Sequence, residues 1–211
     1  MVGDSPARGH VYATQLGGDP GRGSVLVFDR TSGQPKPAID AFGDPEKYLG
    51  YGPLAVSPDG RWLLTGNYPT VEIPGYPATA FYLYDLDQRA PAPRGFNFPG
   101  DLEATGALWT AGGQAYLAAA WASWHQEGAK GPGGVFRFDP ASGTVTAVAG
   151  DFAGYGQPVA LSPDGAWLIL ETFTTDGSTT TYRTEAIPLA GGQRYTVAEG
   201  DTYALGWLQV P

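Results

Sequence analysis

Four aspartates recur along the chain at nearly equal intervals. Each follows a glycine in a linker that leads into the next predicted strand, and the intervals between them are 57, 50 and 50 residues. Carboxylate oxygens are the ligands that Ca²⁺ and Mg²⁺ prefer, so four of them around one opening could hold Ca²⁺. The alternative, favoured by their recurrence at one repeat position, is that each caps its own loop through backbone N–H groups. We therefore predict no cofactor, and the candidate Ca²⁺ ligands are Asp44, Asp101, Asp151 and Asp201.

A second group of residues could bind a partner through exposed aromatic rings. Two long predicted loops, one in the second quarter of the chain and one in the third, concentrate Trp and Tyr next to polar residues. Such side chains combine a large apolar surface with a polar tip and often anchor a peptide or a sugar ring. The structural alternative is that the first of these residues packs inward from its strand. The candidate binding residues are Trp121, Trp124, His125, Tyr68 and Tyr76.

Catalysis has little support in the sequence. The chain has two histidines, His10 and His125, and no cysteine, and it contains no HExxH, GxSxG, P-loop or dinucleotide-binding glycine pattern. Two carboxylates could act as acid and base, as in glycosidases, but nothing in the sequence selects one pair among the 21 acidic residues. We therefore predict that the protein is not an enzyme.

Charge and hydropathy exclude several partner classes. Twelve basic and 21 acidic residues give a net charge of −9. Because no run of Lys or Arg is present, a nucleic acid is not an expected partner. No segment has the roughly 18 apolar residues of a membrane span. The N-terminal residues lack the apolar region of a signal peptide. The sequence therefore fits either a cytoplasmic protein or the mature form of an exported one, and we favour an exported or periplasmic mature domain.

Two nearly identical stretches point to β-hairpins. LAVSPDGRWLLTGNY begins at Leu54, and VALSPDGAWLILETF begins at Val159. In each SPDG, Pro fixes the second turn position, Asp suits the third, and Gly adopts the left-handed conformation that closes the turn. Apolar, β-favouring residues flank both turns, which is the pattern of a hairpin. Trp62 and Trp167, two residues after the turn glycines, are predicted to lie in the core.

Further patterns divide the chain into four repeats. Three strands end in an aromatic residue and Asp (VLVFD, FYLYD and VFRFD), and YRTEAIPLAGG holds the same place in the last quarter. Each repeat is about 50 residues long and contains four strand-like segments. That length and strand content are typical of a β-propeller blade.

We therefore predict an all-β fold, a four-bladed β-propeller closed by the C-terminal strand joining the first blade. The chain starts with a second-strand pattern, HVYATQL, and ends with an inner-strand pattern, ALGWLQVP. Pairing the latter with the strand that holds Tyr12 would remove an exposed sheet edge. Half of an eight-bladed dimer and a piece of a longer chain are the alternatives. The single domain spans 1–211, with blades at approximately 202–211 plus 5–43, 44–100, 101–150 and 151–201.

The two SPDG-x-W hairpins, each followed by a strand that occupies the aromatic-Asp position, resemble the repeats of TolB-like and related WD-type propellers. The resemblance is strong in the second and fourth repeats and weak in the third, where AGGQAYL replaces SPDGRWL. TolB-like propellers usually have six blades, whereas this chain offers four. The resemblance implies a role in binding proteins or peptides, although a fold alone does not determine a function.

The function expected from the sequence is that of a scaffold that binds a protein or peptide partner on the face that carries the long loops. Loops on a rigid scaffold are where binding usually lies. A carbohydrate-binding propeller and a glycosidase- or lyase-type propeller enzyme are the alternatives.

Trp109 and Gln209 replace alanines of the inner strands, and packing is their expected role.

Overall fold

The structure is a computed structural model in which every regular element of the described residues is a β-strand. Sixteen strands form four four-stranded antiparallel sheets in the described residues. The chain divides into two compact units, Met1–Pro99 with Ala111–Gly113, and Gly100–Thr110 with Gln114–Pro211. The structure describes residues 2–5, 10–16, 23–29, 31–39, 51–67, 80–88, 94–99, 102–121, 133–152, 155–176 and 178–200.

The first unit contains two sheets, each an up-and-down meander in chain order. The strands of the first sheet are β1 (Val2–Ser5), β2 (His10–Leu16), β3 (Gly23–Asp29) and β4 (Pro35–Ile39). The strands of the second sheet are β5 (Tyr51–Val56), β6 (Trp62–Asn67), β7 (Phe81–Asp85) and β8 (Arg94–Phe96).

The second unit contains the other two sheets, with the same meander order. The strands of the third sheet are β9 (Leu102–Trp109), β10 (Ala115–Trp121), β11 (Gly133–Asp139) and β12 (Thr144–Phe152). The strands of the fourth sheet are β13 (Tyr155–Leu161), β14 (Trp167–Asp176), β15 (Thr179–Pro188) and β16 (Tyr195–Glu199).

Both SPDG sequences form the predicted hairpin turns, with the same bonds in each. In the fourth sheet the Ser162 hydroxyl donates to the Asp164 carboxylate at 2.5 Å and accepts from the Trp167 backbone N–H at 2.9 Å. Asp164 in turn accepts from the N–H of Ala166 at 3.0 Å. Gly165 has φ +68°, in the left-handed region that favours glycine. The turn thus joins β13 to β14 with its polar groups hydrogen-bonded.

The aromatic-Asp pattern ends a strand in each of the first three sheets. The Asp29 carboxylate accepts from the N–H of Thr31 at 2.7 Å, and the Asp139 carboxylate accepts from the N–H of Ala141 at 3.0 Å. In the fourth sheet Pro188 stands opposite Trp167, at the place that Asp85 takes opposite Trp62. The aspartate therefore stops the third strand by capping the turn that follows.

The core of the second unit lies where the third and fourth sheets pack on one another. Alternate residues of β10 and β11 contact alternate residues of β14 and β15, as the pleat of a strand requires. The buried members of this cluster are Tyr116, Ala118, Val135, Leu168, Leu170 and Ile187.

The inner strands of these two sheets also approach closely. The Thr105 hydroxyl of β9 donates to the carbonyl oxygen of Gly156 in β13. A Cβ at Gly106 would lie 2.9 Å from Cδ of Pro158 and 3.2 Å from Cα of Gln157. Glycine at this position therefore lets the two strands pack.

Two tryptophans differ from their predicted core placement. Trp62 and Trp167 are half-buried, and the leucines that follow them, Leu63 and Leu168, are the fully buried residues. The guanidinium of Arg61 stacks over Trp62 at 4.5 Å. Trp109, predicted to pack inside, is 8% exposed, and Gln209 lies outside the described residues.

The pairing of β2 corrects one detail of the predicted closure. β1 lies beside β2 with Gly3 opposite Tyr12, and β3 occupies the other side. Both edges of β2 are therefore taken, which leaves no edge for the predicted pairing with the strand that holds Tyr12. The sequence carries no signal for β1 because Gly, Asp and Ser are poor strand formers. Residues 201–211 lie outside the described residues, so ring closure stays a prediction.

Candidate functional site

The predicted binding residues fall mostly outside the described part of the chain. Trp121 is the last residue of β10, opposite Leu102 of β9. The remaining four candidates lie outside the described residues, and their role stays a prediction. They are Trp124, His125, Tyr68 and Tyr76.

Most of the aspartates proposed as Ca²⁺ ligands also lie outside the described residues. Asp151 lies in β12, whereas Asp44, Asp101 and Asp201 lie outside the described residues. Among the side chains that the structure does describe, no three His, Cys, Asp or Glu come together as a metal site. The Ca²⁺ prediction therefore stays untested.

The fourth sheet carries a row of aromatic side chains that the sequence analysis missed. Tyr155, Phe173 and Tyr182 are direct cross-strand partners on β13, β14 and β15. The Tyr155 and Phe173 rings stack with centroids 5.0 Å apart and planes 19° apart. The Phe173 and Tyr182 rings are 6.1 Å apart. We call these three side chains the aromatic row.

The aromatic row is open to solvent on two of its three rings. Phe173 is 40% exposed and Tyr182 is 42% exposed, whereas Tyr155 is half-buried. Burial raises the pKa of the Tyr155 phenol, and the charge of Glu103 adds to the effect. Large aromatic side chains usually gain several kcal/mol from burial, roughly 25 cal/mol per Å². Their exposure side by side makes the aromatic row a candidate contact surface.

The strand registers explain why these residues meet. β14 and β15 pair without irregularity from Trp167 opposite Pro188 to Asp176 opposite Thr179. The SPDG turn sets the pairing of β13 with β14, and a bulge between Pro158 and Ala160 adjusts it. Since direct partners point to the same face, the three rings lie in one line across the sheet.

A two-stranded extension lies next to the aromatic row. β14 and β15 continue for three further residue pairs, which in the described residues pair only with each other. Most of their side chains are threonines, and those of Thr180 and Thr181 are exposed. We call the segments 174–176 and 179–181 the threonine ribbon. It lies at the end of the sheet that carries the connection between the second and third strands, where the long loops of the other repeats were predicted.

Ion pairs occupy the arginines of this sheet. Arg183 contacts the Glu199 carboxylate at 3.1 Å, and Arg194 contacts the Glu185 carboxylate at 3.8 Å. Arg183 and Glu199 are both exposed, and their pair contributes little to stability, whereas the Glu185 side chain is only 10% exposed.

A different arrangement covers Trp62 in the second sheet. Arg61 pairs with Asp85 at 3.0 Å while its guanidinium lies 4.5 Å from the Trp62 ring centroid. The Arg94 guanidinium lies 5.5 Å from Trp62 and 5.7 Å from Phe96. The hydrogen bond to Arg61 lowers the pKa of Asp85. In this sheet the aromatic surface is thus covered by arginines of the chain itself.

The sequence carries a partial signal for the aromatic row. Tyr155 begins YGQPVALSPDG, as Tyr51 begins YGPLAVSPDG. Counting back across the SPDG turn places Tyr155 near Phe173. The bulge shifts this count by one residue, and a shift of one residue moves a side chain to the other face of the sheet.

No helix in the described ranges is long and apolar enough to cross a membrane.

Comparisons with known proteins identify the fold. No family model matches the chain, and no curated protein matches it in sequence. A protein assigned to TolB from Agrobacterium tumefaciens matches with a TM-score of 0.62 at 18% identity, covering 94% of this chain and 64% of that one. An oligogalacturonate lyase in complex with manganese gives a TM-score of 0.65 at 11% identity, covering 96% and 53%.

The β-propeller domain of the Trilobed protease from Pyrococcus furiosus gives a TM-score of 0.56 at 14% identity, covering 93% of this chain and 55% of that one. The chain spans between about half and two-thirds of the length of these three solved chains. At such identities the likeness concerns the fold alone. The all-β architecture of four-stranded antiparallel sheets fits a β-propeller, and the resemblance to TolB-like propellers that the SPDG hairpins indicate is confirmed at the level of the fold.

Proposed function

We propose that the chain is a non-enzymatic propeller scaffold that binds a protein or peptide partner at the end of its sheets that carries the long loops. The observation that supports this proposal is the aromatic row, with Phe173 and Tyr182 exposed side by side. Interfaces concentrate their binding energy in a few aromatic anchors of this kind. The proposal involves no cofactor.

The rigidity of the sheet favours this surface over a single exposed ring. Tyr155 and Phe173 stack, and aromatic pairs of this kind contribute about 0.5–1.5 kcal/mol beyond burial. The rings are therefore held in place before a partner arrives, and little side-chain entropy is lost on binding.

The four sheets are proposed to be four blades of one propeller domain. The common meander order and the likeness to propeller structures support this arrangement. Residues 202–211 would then complete the ring beside β1 rather than β2. A variant that ends at Gly200 would be expected to melt at a lower temperature, and an unchanged melting temperature would contradict closure.

The test of partner binding is a selection of displayed random peptides on the full chain. Clones that are enriched should bind wild type at least tenfold more tightly than a Phe173→Ala/Tyr182→Ala double variant. Tyr195→Ala is the matched control, because Tyr195 is 53% exposed on the same sheet, at the other end of β15, and contacts Trp167 rather than the aromatic row. Circular dichroism and melting curves verify that all variants fold.

The same proteins distinguish the alternatives. Glycan-array binding that disappears in the double variant, with no enriched peptide, would support the carbohydrate-binding alternative instead. Enriched peptides that bind the double variant as tightly as wild type would contradict the aromatic row as the site.

A further inference from the structure

The three rings of the aromatic row form a line that runs across the strands of the fourth sheet. Tyr155, Phe173 and Tyr182 are direct cross-strand partners, so their side chains point to one face. Neighbouring ring centroids are 5.0 and 6.1 Å apart. Leu168 and Leu170, at alternate positions of β14, are buried in the core that the fourth sheet shares with the third. The row therefore lies on the face that points away from this core.

The rings of the row do not make one flat platform. The Tyr155 and Phe173 planes are only 19° apart, whereas the Phe173 and Tyr182 planes are inclined by 39°. A flat ligand, such as a sugar ring or an aromatic ring, can stack on one of these two directions at a time. A ligand that contacts both exposed rings, Phe173 and Tyr182, needs a surface that changes direction over 6.1 Å.

A polyproline II helix has a surface of this kind. It has three residues per turn and rises about 3.1 Å per residue, so its side chains form three rows that point in different directions. Residues two apart belong to different rows and are separated by about 6.2 Å along the axis. This separation matches the 6.1 Å between the Phe173 and Tyr182 centroids. Two prolines in a Pro-x-Pro sequence can therefore each lie against one ring.

The hydroxyl of Tyr182 suits the backbone of such a helix. A polyproline II helix has no internal hydrogen bonds and proline has no N–H, so the free polar groups of a proline-rich segment are mostly carbonyl oxygens. A tyrosine hydroxyl can donate to a carbonyl oxygen. Tyr182 lies at the end of the row on β15 and is 42% exposed. Its side chain therefore offers a ring face to a proline and a donor to the backbone beside it.

The small size of the row favours a partner that is ordered before it binds. Three rings contact only a few residues of a partner, and the ordering of each flexible residue on binding reduces the affinity. Proline has its φ fixed at about −65°, so a proline-rich segment loses little conformational freedom. A flexible apolar segment would lose more entropy for the same contacts.

We infer that the aromatic row binds a proline-rich segment in the polyproline II conformation, with two prolines of a Pro-x-Pro sequence on Phe173 and Tyr182. The inference rests on the proposed function and specifies the chemistry of its partner. Ring contacts with proline supply the affinity, and the Tyr182 hydroxyl donates to a carbonyl oxygen of the segment.

The test compares two fluorescently labelled peptides of equal length and charge. The first is acetyl-Gly-Ser-Pro-Ala-Pro-Ala-Pro-Ser-Gly-amide, and in the second leucine replaces the three prolines. Leucine has the larger apolar surface, whereas only the proline peptide favours polyproline II, which circular dichroism of the free peptides verifies. Fluorescence anisotropy with the full chain should show the proline peptide binding about fivefold more tightly, because less entropy is lost.

Three variants locate the bound segment. Phe173→Ala/Tyr182→Ala should abolish binding of the proline peptide. Tyr182→Phe keeps the ring and removes the hydroxyl, and it should weaken binding about threefold, as expected for one hydrogen bond. Tyr195→Ala is the matched control, because Tyr195 is 53% exposed at the other end of β15, and it should leave the affinity unchanged.

Three results would overturn the inference. The first is a proline peptide that does not bind. The second is a leucine peptide that binds as tightly as the proline peptide or more tightly, because the row would then be a general apolar surface. The third is an affinity that falls as far in Tyr195→Ala as in the double variant, because the segment would then not lie on the row.

The outcomes separate this inference from the proposed function. A leucine peptide that binds at least as tightly as the proline peptide, with both lost in the aromatic double variant, would overturn the preference for proline and leave partner binding at the row intact. Displayed peptides that bind the double variant as tightly as wild type would contradict partner binding at the row itself.

Discussion

The aspartates of the described turns act on their own backbone. Asp29, Asp139 and Asp164 each accept a hydrogen bond from the N–H two residues later, at 2.7, 3.0 and 3.0 Å. These bonds lower the pKa of Asp29 and Asp139, and for Asp164 the Ser162 hydroxyl is the larger cause. These three aspartates are therefore caps of their own turns.

The first prediction concerns Asp164. Its lowered pKa means that the ionised form stabilises the fold above the unfolded value of about 3.9, and that this stabilisation is lost as the pH falls through the folded value. Asp164→Asn should therefore melt below wild type at pH 7, and the difference should shrink as the pH falls from about 5 to 2.5. Melting curves across that range measure it.

Ser162→Ala provides the companion measurement. Removing the hydroxyl that donates to Asp164 should move the pKa of this carboxyl back toward its ordinary value, so the variant should also lose less stability on acidification. A difference between Asp164→Asn and wild type that stays constant down to pH 2.5 would show that the turn carboxylate is not the source.

At the scale of elements, the contact between β9 and β13 depends on a glycine. A methyl group at position 106 would lie 2.9 Å from Cδ of Pro158 and 3.2 Å from the backbone of Gln157, and a backbone cannot move aside locally. Gly106→Ala should therefore destabilise the protein by about 1–3 kcal/mol, the usual cost of overpacking. Urea unfolding of the full chain measures the change.

Gly150→Ala is the control for this prediction. A Cβ at position 150 in β12 would meet nothing within 4 Å, and its φ is not in the left-handed region. This variant should be neutral or slightly stabilising, because alanine restricts the unfolded chain. If the two variants unfold at the same urea concentration, the close approach of β9 and β13 is wrong.

Elements with a local signal could be predicted, whereas those set by pairing could not. The SPDG turns predict their hairpins because Pro, Asp and Gly each fix one turn position. The aromatic row could not be derived in the same way, because Tyr155 and Phe173 are 18 residues apart and meet only after a bulge. β1 was missed because Gly, Asp and Ser are poor strand formers. The half-buried state of Trp62 was missed because Arg94, which lies against its ring, is 32 residues away in sequence.

At the scale of the whole molecule, the net charge of −9 acts at long range. A strongly negative chain raises the local concentration of cations and speeds their association, whereas contacts formed after docking set the dissociation rate. The screening length falls from about 10 Å at 0.1 M salt to about 3 Å at 1 M. Long-range attraction and short-range stacking on Phe173 and Tyr182 can therefore be separated by salt.

The last prediction follows from this separation. Raising NaCl from 25 to 500 mM should slow association of a selected peptide of net positive charge about tenfold and leave its dissociation rate within about twofold, because stacking on a ring is less screened than steering. A selected peptide of zero net charge should associate at a rate that changes little over the same range. Stopped-flow anisotropy measures both rates. If salt instead speeds dissociation of the positively charged peptide and leaves its association unchanged, the dominant charge interaction lies in the bound complex. Equal salt effects on the two peptides would contradict charge steering.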